Sequence, residues 1–243
     1  MQTKTSLLYW WPRVKDLGIP VPATHIVPVD RMKILSAMEG EIALTPDFMR
    51  SLHATAQLVG YPFFLRTDLQ SGKHGWEKTC YVNDASVLMR NMFGVAEENE
   101  MGACFLGPGY EAFVVREFLE LETGFIAFYG KMPVNKERRY FVRGSEVLCS
   151  HPYWPQSAFL DHTNDGDWQT KLAELNHESQ DEVELLSRYA RTVGAALPDD
   201  YWSVDFAKAK DGKWYLIDMA LGVQSYHWDG CPAAADCARV FGE

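Results

Sequence analysis

Residues 63–82 read Phe63-Phe64-Leu65-Arg66-Thr67-Asp68-Leu69-Gln70-Ser71-Gly72-Lys73-His74-Gly75-Trp76-Glu77-Lys78-Thr79-Cys80-Tyr81-Val82. An apolar run ends in Arg66, a glycine-bearing loop follows, and a second apolar run closes the stretch. The pattern predicts a strand, a flexible cationic loop and a return strand. Gly72 and Gly75 let the backbone approach an anion closely, and Arg66, Lys73 and Lys78 gather positive charge there. They do so in a chain of formal net charge -10. A lone glycine-lysine loop is more often a solvated hairpin turn, so the flanking segments decide what this one covers.

Upstream, Thr45-Pro46-Asp47 is a helix start, with Phe48, Leu52, Thr55 and Val59 on one face and Gly60 as the stop. The opening segment, Leu7 to Val29, carries Pro12, Pro20, Pro22 and Pro28 and predicts an extended, turn-rich lead-in. Downstream, Asn83 or Asp84 caps a helix whose Val87 or Leu88, Met92 and Val95 share a face. Residues 112–118, 125–131, 137–143 and 146–150 then read as strands of an antiparallel sheet. From Asp181, the spacing of Val183, Leu186, Ala190, Val193 and Leu197 predicts a helix closed by Pro198-Asp199-Asp200. Residues 201–208 and 213–219 form a hairpin about Lys210-Asp211-Gly212. The fold class is α+β.

With 243 residues, 47% hydrophobic and 13% aromatic, the chain can bury a substantial core as one domain or two small lobes. Its acidity argues against broad affinity for nucleic acid or anionic membranes. No apolar run is long enough to span a bilayer and the amino terminus does not read as a signal peptide, so a cytoplasmic location is expected. Cys80, Cys104, Cys149, Cys231 and Cys237 are scattered without a CxxC pair, so neither a disulfide framework nor a zinc site is expected.

Three constellations join the loop. In Glu137-Arg138-Arg139-Tyr140-Phe141, strand alternation puts Glu137 and Arg139 on one face, where a guanidinium fork can clamp phosphate oxygens; the same pair is also an ordinary arrangement for a wet sheet face. In the terminal hairpin, Asp205 and Asp218 stand where strands prefer apolar residues. Two carboxylates brought together across a hairpin make a hard, oxygen-rich site suited to magnesium. Val114 to Leu119 reads as a strand entering a hinge whose backbone could hydrogen-bond a planar base.

Taken in order from Tyr61 to Val223, these pieces resemble the ATP-grasp superfamily. The lead-in from Tyr9 to Val27 looks like the shortened amino-terminal part of its phage-associated clade, named for one arginine and two lysines. The resemblance implies two α+β lobes with mainly antiparallel sheets enclosing a nucleotide site. Residues 1–60 would be a reduced lead-in with the first helix, and 61–243 the ATP-grasp domain, divided into a glycine-loop lobe (61–118) and a catalytic lobe (119–243). It implies ATP and Mg2+ as cofactors, Arg66 and Lys73 against the phosphates, and Lys78 on the return strand as the second clade lysine. Glu117, Phe118 and Leu119 would contact adenine, with Glu120 or Glu122 at the ribose. Glu137 and Arg139 would face the phosphates, and Asp205 and Asp218 would ligate metal; Arg66, Lys73 and Arg139 would carry the catalytic charge.

The implied reaction joins a small-molecule or peptide carboxylate to an amine through an acylphosphate, in the host cytoplasm if the chain is phage-encoded. One departure stands out: Ala220 occupies the place of the family's usual terminal asparagine. The alternative is a nucleotide-binding assembly factor with a protein partner, since the Glu-x-Arg strand also resembles the eukaryotic cell-division-cycle translation-factor assembly proteins. His151 to Pro155 and Gln224 to Trp228 are aromatic segments that line a substrate pocket or are packed loops.

Overall fold

The computed structural model describes residues 3–102, 109–231 and 233–234; Cys104 and Cys237 lie outside them. Along the chain run helix α1 (Leu7–Val14), strand β1 (Thr24–Pro28), helices α2 (Arg31–Met38) and α3 (Pro46–Val59), strands β2 (Phe63–Thr67) and β3 (Tyr81–Val82), and helix α4 (Leu88–Gly102). Strands β4 (Ala112–Glu117) and β5 (Thr123–Ala127), the short helix α5 (Phe128–Lys131), and strands β6 (Met132–Asn135), β7 (Glu137–Arg143) and β8 (Glu146–Pro152) follow. Helices α6 (Trp168–Asn176) and α7 (Gln180–Ala196) and strands β9 (Tyr201–Lys208) and β10 (Trp214–Leu221) complete the order. The α+β expectation holds, and the pairings within both four-stranded sheets are antiparallel.

The chain divides into two compact units, Pro22–Leu119 and a second built from Met1–Val21 with Glu120–Glu243. The opening sixty residues are therefore shared out rather than set apart. β1 pairs with β4 in the first unit, whereas the Leu216 N–H donates to the Pro20 carbonyl in the second.

In the first unit the sheet order is β1-β4-β2-β3. Phe63 and Leu65 of β2, Phe113 and Val115 of β4, and Val27 of β1 join Ile34, Leu52, Ala56, Met92 and Val95 from α2, α3 and α4 in one buried core. The helix starting at Pro46 forms as its sequence indicates, with the Thr45 hydroxyl accepting from the Phe48 N–H and Gly60 closing it at φ +83°.

In the second unit the sheet order is β10-β9-β7-β8. One face packs under α7, where Ser179 and Glu182 make a reciprocal capping box that satisfies end N–H groups. Tyr140 and Tyr189 both meet the ring of Phe206 on that side. The alternate residues of the same strands form the other face.

Two local expectations are corrected. Leu7–Val14 is a short helix rather than extended chain: Ser6 caps it, Leu7, Trp10, Trp11 and Val14 are buried, and Pro12 lies on the exposed side. Helical i, i+3, i+4, i+7 burial outweighs the proline here. The expected strand 125–131 ends at Ala127 as β5, residues 128–131 form α5, and β6 then pairs back on β5; the backbone turns at Phe128 with φ +53°. Its ring packs against Trp154 and Phe159.

Candidate functional site

The face of the second unit's sheet turned away from α7 brings four expected residues together. Register places Arg139 of β7 opposite Asp205 of β9, and Asp205 opposite Asp218 of β10. Arg139 grips Asp205 at two points, Nε to Oδ1 at 2.7 Å and Nη2 to Oδ2 at 2.8 Å. Both side chains are largely buried, 14% and 7% exposed. Burial opposes the charge on Arg139, but the Asp205 carboxylate, its hydrogen bonds, Tyr153 and Asp218 outweigh that and hold the guanidinium above its usual range. The cation also lies over the Tyr153 ring, 4.6 Å from its centroid. Glu137 shares the face by alternation; it is buried, and its carboxylate accepts from Trp154 Nε1 at 3.3 Å. The intervening Arg138 turns the other way, fully buried, and donates to the carbonyls of Leu175 and His177 at the end of α6.

Asp218 owes its place to a backbone irregularity. Leu216 pairs with Phe206 but Asp218 pairs with Asp205, so β10 carries one extra residue at Ile217. Strict alternation from Trp214 and Leu216 would send Asp218 to the face under α7; the bulge re-aims it to the face of Arg139 and Asp205. Two carboxylates held on adjacent strands are the hard donors a magnesium ion takes. The Arg139 fork uses two of the roughly four lone-pair positions of Asp205, and Asp218 Oδ1 accepts from the Met219 N–H at 3.0 Å. The donor set fits magnesium.

In the first unit, Arg66 lies on β2 on the face opposite the helix-backed core, buried, with its Nε donating to the Thr67 carbonyl at 3.0 Å. Arg116 of β4 shares that face; it is buried too and was not singled out from sequence. Rings gather around the end of the sheet: Trp76 stacks on Tyr81 at 5.6 Å, and Tyr81 meets Phe118 at 5.1 Å. Asp68 anchors the start of the loop by accepting from the N–H groups of Glu111 and Ala112.

The loop itself folds down onto α4. A Cβ at Gly75 would collide with the Glu98 carboxylate and the Thr79 side chain, and Thr79 Oγ1 donates to the Gly72 carbonyl. The anion these glycines approach is Glu98. Burial lifts its carboxyl above the usual range, partly offset by the Gly75 N–H. Lys73 is half-buried in the loop and Lys78 exposed. Lys78 ends a 3-10 turn, Trp76–Lys78, not the return strand. The turn's own bonds, Lys78 N to the Gly75 carbonyl and Thr79 N to the Trp76 carbonyl, delay the strand until Tyr81.

The hinge candidates follow β4. Glu117 accepts from the Ala23 N–H through its carboxylate at 3.1 Å, and Phe118 and Leu119 are half-buried. Glu120 and Glu122 pair with Lys210 at 3.5 Å and with Lys208 at 3.8 Å.

Family 3 of the ATP-grasp clade named for one arginine and two lysines matches residues 52–238. The chain belongs to this ATP-grasp domain family. Among solved structures, the ATP-grasp chain is similar to Cdc123 from Schizosaccharomyces pombe, at TM-score 0.56 and 12% identity over 90% of this chain and 83% of that one. It is similar also to the VanG D-Ala:D-Ser ligase from Enterococcus faecalis, at 0.52 and 14% over 89% and 52%. A third is the biotin carboxylase βγ-ATP complex from Campylobacter jejuni, at 0.52 and 12% over 95% and 42%. At these identities the likeness is one of fold, and the chain spans about half or less of the last two proteins. No curated protein sequence matches it. Among the described residues, no helix is long and apolar enough to cross a membrane.

Ala220, expected from the resemblance to stand where the family has asparagine, has a defined setting in the ATP-grasp chain. Ala220 faces Ser203 across the hairpin, and the Ser203 hydroxyl lies 2.6 Å from that of Ser225 and donates to the Ala220 carbonyl. Hydroxyl oxygen thus stands beside Ala220. Sequence spacing carried no signal for Ser203, for Arg116, or for the convergence of Cys149, His227 and Cys231 on this unit.

Proposed function

We propose that this ATP-grasp protein is an ATP- and Mg2+-dependent carboxylate-amine ligase. The observation that carries the reading is the Arg139–Asp205–Asp218 row: a fixed guanidinium beside two cross-strand carboxylates, on one face of the sheet. Asp205 fixes the Arg139 fork, so the cation needs no reorganisation to meet a transferring phosphoryl group. Asp218 and the remaining lone pairs of Asp205 hold magnesium, which when bound offsets phosphate charge. The family resemblance assigns further phosphate-directed charge to Arg66 and Lys73. The substrate carboxylate attacks the terminal phosphate of ATP, ADP leaves, and the amine then displaces phosphate from the acylphosphate. Orientation and electrostatics supply the rate, without a covalent nucleophile on the protein.

Ala220 supports a second reading, a nucleotide-binding assembly factor with little turnover and a protein partner. The test is phosphate release and product mass with ATP, Mg2+ and pools of amino acids or peptides as amine and carboxylate sources. Amine-dependent turnover is expected. Tight nucleotide binding without turnover across the pools would favour the assembly role, and no binding of any nucleotide would remove both readings.

A further inference from the structure

Three soft donors converge beside the Arg139 face. Cys149 lies on β8 opposite Phe141, and His227 stacks on the Phe141 ring with centroids 3.7 Å apart. His227 Nδ1 is 3.6 Å from Cys149 Sγ and 3.2 Å from Cys231 Sγ. The three donor atoms all lie within 4.8 Å of one another. Bond lengths of about 2.05 Å to nitrogen and 2.3 Å to sulfur at tetrahedral angles put nitrogen about 3.5 Å from each sulfur. The two sulfur-nitrogen distances bracket that value before any ion draws the ligands in.

The outer contact fits as well. His227 Nε2 is 3.1 Å from the Tyr201 hydroxyl, and that contact is buried. With Nε2–H donating to the phenol oxygen, the tautomer leaves the Nδ1 lone pair aimed at the two sulfurs, the usual support for a metal-bound imidazole. One nitrogen has a single in-plane lone pair, yet two thiols approach it, and a cation at the centre uses all three donors at once.

We propose that Cys149, His227 and Cys231 bind one Zn2+ ion, and that this ion pins the segment after β10 to the sheet face carrying Arg139, Asp205 and Asp218. Binding converts both thiols to thiolates and releases two protons, so affinity rises with pH. The site is separate from the magnesium carboxylates and does not depend on the nucleotide reading.

The test uses the full chain, reduced with a non-chelating phosphine, stripped of metal and titrated with Co2+ and then Zn2+. One Co2+ per chain is expected, with thiolate-to-cobalt charge-transfer bands and tetrahedral d–d bands that Zn2+ abolishes. Cys149→Ser and Cys231→Ser should each weaken the thiolate band and lower affinity at least tenfold. Tyr201→Phe, which keeps the ring, should lower Zn2+ affinity by roughly 10-fold. Zn2+ should also protect Cys149 and Cys231 from alkylation in the unaltered chain, a readout that stands if a serine variant fails to fold. A six-coordinate cobalt spectrum without thiolate bands, a Cys149–Cys231 disulfide in the reduced preparation, or thiolate bands that survive both serine variants would overturn the proposal.

Discussion

Replacing Asp205 by asparagine tests the central ion pair. The substitution keeps the volume and removes the charge, leaving the Arg139 guanidinium, 14% exposed, without the carboxylate that takes its Nε and Nη2 protons. Stranding one partner of a buried pair costs about 3–5 kcal/mol. Asp218 and the Tyr153 ring still attract the cation, so the low end, about 3 kcal/mol, is expected. For a chain of this size that is a fall in Tm of about 6–12 °C. Thermal and urea unfolding without nucleotide measure it, and the cost should hardly change when salt is raised, because a buried pair is screened little. The double variant Arg139→Met with Asp205→Leu removes both charges and should recover most of the loss. A cost under about 1 kcal/mol would refute the reasoning, because that is the scale of an exposed pair. So would a double variant less stable than Asp205→Asn.

Asp218→Asn should change the stability of the ligand-free chain by less than about 1 kcal/mol, since Asp218 is half-buried and relieving its repulsion with Asp205 offsets what is lost; the same variant should lose the Mg2+-nucleotide shift in Tm, which at 100-fold ligand excess over Kd corresponds to about 2.7 kcal/mol in the unaltered protein. Gly194→Ala gains about 1 kcal/mol of helix propensity, but the new Cβ meets the Gly144 carbonyl, so net destabilisation of about 1–3 kcal/mol is expected by urea unfolding. Burial works against ionisation of Glu182, but Lys208 at 2.7 Å, the Ser179 N–H and Lys136 outweigh it and bring the carboxyl down to about 2. A depressed carboxyl contributes stability in full above the ordinary value of 4.5 and loses it as pH falls toward 2. Glu182→Gln should therefore cost about 1–2 kcal/mol at neutral pH, with solvent screening discounted, and should flatten the stability profile across that acid window.

What was legible in the sequence was mostly local or periodic. Thr45-Pro46 caps α3 because a hydroxyl and a proline act within one turn, and Glu137-x-Arg139 shares a face because alternation along a strand has period two. The glycines of the loop were legible as a close approach to an anion, but their partner was not. Glu98 lies on a helix that returns to the loop only through the fold, and nothing in the loop's composition distinguishes a phosphate from a carboxylate. The cysteine-histidine convergence was invisible for the same reason, since Cys149 and His227 are 78 residues apart and meet only because β8 and the segment after β10 reach the same sheet face. Asp218 is the instructive case. Periodicity counted from Trp214 assigns it to the core, a costly place for a charge, and the one-residue bulge at Ile217 reverses that assignment. Beyond the bulge, Ala220 falls two residues on and shares the face of Asp218. The irregularity that presents the carboxylate thus also turns the departure at Ala220 toward the Ser203 and Ser225 hydroxyls. Among the described residues, hydroxyl oxygen reaches Ala220 from the neighbouring strand through Ser203, which is itself held by Ser225 of the segment after β10.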